Sequence, residues 1–165
     1  MTLEEIAKKM CAKGKGILAA DESTGTMDKR LTSVGVECTD KNRFNFRESL
    51  FTSDAMKKYI GGVILFDTTI REKTSTGISI PALLEKNNSV VGIKVDKGAK
   101  KLAGSPEETV TEGLDGLRER LSEYYKLGAR FTKWRAVYNI GKNFPSVQSI
   151  KSNAQALARY SALVQ

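Results

Sequence analysis

The sequence predicts an α/β fold with a parallel sheet, because four apolar strand-like runs alternate with amphipathic helical segments. The runs lie at 16–21, 62–66, 90–95 and 131–137. Successive strands joined through a helix form right-handed β-α-β units. Four such units make half of an eight-stranded β/α barrel, and a complete open sheet of four strands is the structural alternative.

Helices are predicted from capping signals and apolar periodicity. Thr2 and Glu5 have the spacing of a capping box, and the helix that they begin is expected to end before Gly14. The same signals predict five further helices, at 27–34, at 40–51, from Pro81, at 114–124 and from Ser146 onward. The last helix carries an apolar stripe of Val147, Ile150, Ala154 and Leu157. In a half-barrel this stripe would need a neighbour, so we expect self-association or pairing with a second half-chain.

Composition indicates one domain over residues 1–165, with no internal linker. The chain is 40% hydrophobic, and no composition shift divides it. Histidine is absent, which removes imidazole bases and His-ligated zinc from this segment. Cys11 and Cys38 lack metal-ligand spacing, and no long apolar run marks a leader or a membrane span. A cytoplasmic location without membrane association is therefore expected.

The net charge of +8 favours anionic partners, either nucleic acid or phosphorylated metabolites. Basic residues are scattered along the chain and lack interleaved aromatic side chains, apart from the short group Lys97, Lys100 and Lys101. This pattern argues against a nucleic-acid-binding face. A lysine-rich solvated surface is the alternative meaning of the charge.

Two cations occupy one face of the fourth predicted strand. Side chains alternate along a strand, so Lys133 and Arg135 point together, whereas Trp134 points to the opposite face. We expect Trp134 to pack against the outer helices. Burying unpaired charge is costly, so a pair of cations on an apolar strand indicates a polar pocket. A structural network of salt bridges is the alternative.

Charged residues also follow the first and third predicted strands. Asp21 ends the first run, and Lys94 and Asp96 share one face of the third run with Gly92. In a β/α barrel, polar residues at the carboxyl ends of strands are typical of catalytic sites. Asp21, Asp96 and Arg135 occupy such positions, which predicts a shared site at one end of the sheet.

The sequence resembles the class I fructose-bisphosphate aldolases over almost its whole length. Six segments in the same order carry the resemblance, and together they are highly specific. They are GKGILAADESTG at 14–25, GGVILF at 61–66, VGIKVDKG at 91–98, GLDGL at 113–117, KWR at 133–135 and LARY at 157–160.

The resemblance implies a TIM (β/α)8 barrel, of which this chain would supply the N-terminal helix and about the first four β/α units. It implies reversible cleavage of fructose 1,6-bisphosphate to dihydroxyacetone phosphate and glyceraldehyde 3-phosphate through a lysine imine, without a metal or organic cofactor. The implied partners are sugar phosphates and further copies of the chain in a homotetramer. The roles implied for individual residues are catalysis for Asp21 and Lys133, and substrate binding for Ser23, Arg30, Arg43, Lys94 and Arg135.

The chemistry of these residues agrees with such a reaction. Cleavage of a ketose needs an electron sink at C2, which a lysine imine supplies, and the attacking amine must be partly neutral. Neighbouring cations lower the pKa of a lysine, so Lys94, Lys133 and Arg135 would activate a nearby nucleophilic lysine and attract phosphates. Asp21 would move protons during imine formation.

The family's imine-forming lysine is expected beyond Gln165, so residues 1–165 alone are expected to be inactive. A non-catalytic half-barrel that binds a sugar phosphate or a protein is the second hypothesis, and another lysine-imine enzyme of the same barrel class is the third. Solvated surface arginines are the alternative for Arg30 and Arg43, and a helix cap is the alternative for Ser23.

Overall fold

The computed structural model describes residues 1–165 and contains eight helices and six strands. The helices are α1 Leu3–Met10, α2 Thr24–Thr32, α3 Asp40–Phe51, α4 Asp54–Tyr59, α5 Asp67–Arg71, α6 Ile80–Lys86, α7 Leu117–Lys126 and α8 Val147–Val164. The strands are β1 Gly16–Ala20, β2 Ile60–Leu65, β3 Val90–Lys94, β4 Ala99–Leu102, β5 Ser105–Thr111 and β6 Phe131–Lys133. No helix is both long and apolar enough to cross a membrane.

The chain forms two compact units. The first comprises Met1–Lys94 and Tyr124–Phe131, and the second comprises Val95–Glu123 and Thr132–Gln165. The main sheet has the order β1-β2-β3-β6, and the pairs β1-β2 and β2-β3 are parallel. This confirms the predicted α/β class and its parallel sheet.

The core of the first unit lies between the sheet and its helices. Helices α1 and α4 contact β2, and α5 and α6 contact β3. Side chains from both layers are at most 2% exposed; they include Ala20, Phe51, Met56, Val63, Leu65, Leu84 and Ile93. Full burial of a large apolar side chain contributes about 1.5–3 kcal/mol, so this layer holds the sheet in place.

The second unit contains an antiparallel hairpin of β4 and β5, which the sequence analysis did not predict. Helix α8 packs against β5. Asn153 of α8 is 1% exposed, and its amide oxygen accepts a hydrogen bond from Thr111 N at 3.3 Å while its nitrogen donates to Thr109 O at 2.9 Å. The Asn153 amide thus satisfies two backbone groups of β5 that a neighbouring strand would otherwise bind.

The fourth predicted strand was too long. It ends at Lys133, whereas the sequence predicted a strand to residue 137. Threonine hydroxyls of β5 bind the backbone beyond it: Thr111 Oγ1 donates to Arg135 O at 2.7 Å, and Thr109 Oγ1 donates to Val137 O at 3.1 Å. These contacts replace ladder hydrogen bonds in this segment.

The predicted apolar stripe of α8 is largely exposed. Val147 is 68% exposed and Ile150 is 46% exposed, and the residues that α8 buries are Ser149, Asn153 and Ala156. Helix α8 therefore contacts β5 through small and polar side chains. Of its apolar stripe, Val147, Ile150 and Ala154 are exposed and Leu157 is half-buried.

Candidate active site

The parallel register places two predicted site residues in one row of the first unit. Ala20 of β1 is aligned with Leu65 of β2, and Leu65 is aligned with Ile93 of β3. The next residues are Asp21 and Lys94, which therefore emerge on the same side of the sheet two strands apart, a separation of roughly 10 Å. Asp21 is 6% exposed, and Lys94 is half-buried.

Strand β3 includes Gly92 and Lys94 of the predicted face, whereas Asp96 lies beyond its end at Lys94. Val91 and Ile93 are buried, and a Cβ atom at Gly92 would lie 2.3 Å from Cζ of Phe131, whose ring covers this position. Only glycine leaves room for that ring. Lys94, two residues later, shares the face of Gly92 and points away from the apolar layer formed by Val91 and Ile93.

The segment after β1 carries two further predicted residues. Ser23 is exposed and is the N-cap residue of α2, but its hydroxyl is hydrogen-bonded with Thr26 Oγ1 at 3.1 Å and does not cap the helix backbone. Arg30 of α2 forms a salt bridge with Glu22, whose side chain is 10% exposed against 57% for Arg30. Arg30 therefore contacts Glu22, the residue between Asp21 and Ser23.

Arg43 lies on α3 and makes local contacts. Its guanidinium donates to Cys38 O at 2.9 Å and forms a salt bridge with Asp40. The hydrogen bond with the Cys38 side chain, followed by the charge of Asp40, raises the pKa of Arg43. The side chain is 18% exposed, so it is less solvated than a typical surface arginine.

Arg47, one turn after Arg43, is a buried cation that the sequence analysis missed. It is 2% exposed, and it donates to Glu22 O at 2.6 Å and to Thr69 Oγ1 at 2.9 Å. Burial lowers its pKa, and the charge of Glu22 acts in the opposite direction. The available signal was its position four residues before the buried Phe51 on one helix face.

The remaining predicted residues lie in the second unit. Lys133 is half-buried, and its carbonyl accepts a hydrogen bond from Val95 N at 3.1 Å. Arg135 is exposed. Trp134 packs against Tyr160 of α8 with 5.1 Å between ring centroids, which confirms the expected helix contact.

The second unit contains a buried carboxylate, Asp96, and a half-buried phenol, Tyr160. Asp96 is 9% exposed, and its Oδ1 accepts a hydrogen bond from Gly98 N at 3.1 Å. Burial raises the pKa of Tyr160, whose hydroxyl is hydrogen-bonded to Thr132 Oγ1. The charge of Asp96 raises the same pKa further. The phenol therefore stays protonated at neutral pH.

Comparison with known proteins assigns the chain to a family. The model of the class I fructose-bisphosphate aldolases matches residues 2–165. A probable class 1 fructose-bisphosphate aldolase of Xylella fastidiosa is 57% identical over 163 residues, which are 99% of this chain and 49% of that protein. The cytoplasmic isozyme 1 of fructose-bisphosphate aldolase of Pisum sativum is 54% identical over 159 residues, covering 96% of this chain and 44% of that protein.

A solved structure shows the same fold. The fructose-bisphosphate aldolase of Plasmodium falciparum, crystallised with TRAP and a small-molecule inhibitor, superimposes with a TM-score of 0.93 at 46% identity. The match covers 97% of this chain and 47% of that one. The chain spans about half the length of the relatives that it matches. The family match over residues 2–165, together with these identities, shows that the chain belongs to the class I fructose-bisphosphate aldolase family.

Proposed function

We propose that residues 1–165 act as the N-terminal half of a single TIM (β/α)8 barrel in a class I fructose-bisphosphate aldolase. The substrate class is sugar phosphates, and the reaction is reversible cleavage of fructose 1,6-bisphosphate through a lysine imine. The observation that carries this proposal is the row shared by Asp21 and Lys94 at the carboxyl ends of parallel strands, in a chain matched by the family over residues 2–165.

Asp21 and Lys133 are the proposed catalytic residues. A carboxylate is needed to move protons while the carbinolamine and imine form, and the low exposure of Asp21 keeps it from being fully solvated. The ammonium of Lys133 stabilises the negative charge that develops on substrate oxygens during cleavage. Each charge acts more strongly on the substrate at reduced exposure. At an effective dielectric constant of about 20, two opposite unit charges about 4 Å apart attract each other by roughly 4 kcal/mol.

The proposed substrate-binding residues match the two phosphates of the substrate in charge or hydrogen-bonding capacity. They are Ser23, Arg30, Arg43, Lys94 and Arg135. Arginine binds a phosphate through a planar pair of donors, and a serine hydroxyl donates a single hydrogen bond. Cations in the site also lower the pKa of the lysine that forms the imine, which we place outside residues 1–165.

The imine itself supplies the electron sink, so the proposed reaction requires no metal or organic cofactor. We also propose a cytoplasmic location, since the Pisum sativum relative carries the name of a cytoplasmic isozyme, and a homotetramer as the assembly of the whole enzyme. Residues 1–165 alone are proposed to be inactive, because a catalytic unit without its nucleophile loses nearly all of its rate enhancement.

Borohydride trapping tests this proposal. Reduction in the presence of dihydroxyacetone phosphate converts a lysine imine into a stable amine, and the adduct is located by peptide mass spectrometry. A longer protein that contains these residues should gain one adduct per chain, outside residues 1–165. The 165-residue chain should gain none. Stoichiometric labelling of Lys94 or Lys133 would overturn the proposed roles, and absence of any adduct in the longer protein would overturn the aldolase mechanism.

A further inference from the structure

Arg47 connects the chain at the ends of two neighbouring strands. Its Nη2 donates to the carbonyl of Glu22 at 2.6 Å, and its Nη1 donates to Thr69 Oγ1 at 2.9 Å. Glu22 directly follows Asp21 after β1, and Thr69 belongs to α5, which directly follows β2. A single rigid guanidinium therefore sets the distance between these two segments.

The guanidinium is confined on other sides as well. Its Cζ lies 5.9 Å from the ring centroid of Phe66, the residue that joins β2 to α5. The side chains of Arg47 and Glu22 are 3% and 10% exposed, and Arg47 Nη2 is 3.7 Å from Glu22 Oε2. A desolvated charge pair of this kind has few alternative arrangements, so it resists movement of the backbone that it holds.

We propose that Arg47 is a positioning residue for the aldolase reaction, which holds the Glu22 carbonyl and thereby fixes Asp21 and the approach to Ser23. This inference rests on the proposed function of Asp21 and Ser23. The carbonyl of Glu22 is one residue from each of them, so displacement of that carbonyl moves both side chains. A misplacement of about 1 Å at a reacting group can cost about a hundredfold in rate.

The test must separate positioning from simple stabilisation of α3. The chain offers a matched control, because Asn87 anchors the same helix at its other end. Asn87 is 5% exposed, and its Nδ2 donates to Phe51 O at 2.9 Å. Asn87→Ser removes a buried hydrogen bond to α3 without touching Glu22 or Thr69.

The experiment compares Arg47→Lys, Thr69→Val and Asn87→Ser in a longer protein that contains these residues. Lysine keeps the charge but cannot reach both acceptors in a fixed fork. Arg47→Lys should lower kcat at least about tenfold, with a smaller change in KM, at temperatures where the protein remains folded. Thr69→Val should lower kcat several-fold. The double variant of Arg47→Lys and Thr69→Val should have a kcat close to that of Arg47→Lys alone, because both changes break the same connection between Arg47 and Thr69.

Hydrogen exchange provides a measurement that does not depend on the substrate. Arg47→Lys should increase amide exchange in residues 21–27, whereas Asn87→Ser should increase it near the end of α3. Parallel losses of activity and melting temperature in the Arg47→Lys and Asn87→Ser variants, with unchanged exchange at 21–27, would overturn the inference. Failure of the unmutated protein to cleave fructose 1,6-bisphosphate would overturn the proposed function instead, and the exchange result would still decide whether Arg47 holds the segment.

Discussion

Glu108 and Ser146 are joined by two hydrogen bonds, in which the Glu108 carboxylate accepts from the Ser146 backbone nitrogen at 2.8 Å and from the Ser146 hydroxyl at 2.5 Å. Glu108 lies in β5 and is 1% exposed, and Ser146 is the N-cap residue of α8. A carboxylate is favourable beside the positive end of a helix. The pair therefore connects the hairpin to the point where α8 begins.

Ser146→Ala should destabilise the protein by about 1 kcal/mol. The change removes the helix cap on Ser149 N, which is 3.1 Å from Ser146 Oγ, and one of the hydrogen bonds to Glu108. Urea unfolding measures the loss. Ser53→Ala is the control, because Ser53 is the N-cap residue of α4 and makes no side-chain cap bond, although its hydroxyl donates to Leu50 O at 2.8 Å. Equal losses for the two variants would show that the cap bond and the bond to Glu108 together contribute no more than the single bond from Ser53 to Leu50 O.

The contribution of Glu72 to stability should decrease as pH rises above about 4.5. Burial raises the pKa of Glu72 above its ordinary value of 4.5, and the charges of Arg47 and Arg43 oppose this shift. Between the unfolded and folded pKa values the unfolded chain releases its proton first, so rising pH favours unfolding. Glu72→Gln should flatten this part of a plot of melting temperature against pH and raise the melting temperature at neutral pH.

Glu108→Gln provides the contrast, because the sign of its effect is opposite. Hydrogen bonds from Ser146 lower the pKa of Glu108 below 4.5. Its contribution to stability is therefore complete above about 4.5 and is lost as pH falls through the folded pKa. Glu108→Gln should lower stability at neutral pH and should reduce the loss of stability that occurs as pH falls. The same pH profile in both variants would contradict the assignment of the two carboxylates.

Local signals in the sequence were sufficient for most elements of the first unit. The capping box of Thr2 and Glu5 is present, and the predicted first three strands all occur. The hairpin of β4 and β5 was missed because its buried positions are not occupied by an alternating series of apolar residues. Its buried positions are Leu102, Glu108 and Thr111, of which only Leu102 is hydrophobic. The burial of the other two depends on side-chain hydrogen bonds between distant segments, which periodicity does not reveal.

The candidate site also contains residues that local sequence signals identified and one that they missed. Asp21 and Lys94 could be selected from the sequence because each lies at the carboxyl end of an apolar strand, and the parallel register places them in one row. Arg47 was not selected, because an arginine on a helix ordinarily lies in solvent. Its burial results from acceptors at Glu22 and Thr69, which are 25 and 22 residues away in the chain. Its position four residues before Phe51 indicates a shared helix face, but the acceptors themselves are visible only in the folded arrangement.

Gly92→Ala should destabilise the protein by about 1–3 kcal/mol through overpacking. The new Cβ atom would lie 2.3 Å from Phe131 Cζ and 2.5 Å from both Cε atoms, so the ring or the strand must move. Phe131→Leu should restore part of the loss in the double variant, because it removes the colliding ring. Gly25→Ala is the control: its new Cβ would meet no atom within 4 Å, so the change should be neutral or stabilise α2 by up to about 1 kcal/mol. Additive losses in the Gly92 and Phe131 double variant would refute the collision.

Lys133→Met should lower the rate of fructose 1,6-bisphosphate cleavage at least about a hundredfold, the scale for removing one electrostatic contributor to a transition state. Methionine keeps most of the aliphatic bulk, so the loss reports on the charge. Lys133→Arg should also lower the cleavage rate, because a planar guanidinium cannot replace a compact ammonium. Steady-state turnover of a longer protein that contains these residues is the measurement, with melting temperature recorded in parallel. Lys151→Met, at an exposed position on α8, should leave turnover unchanged. Turnover of Lys133→Met within a few-fold of the unmutated enzyme would give Lys133 a structural role instead.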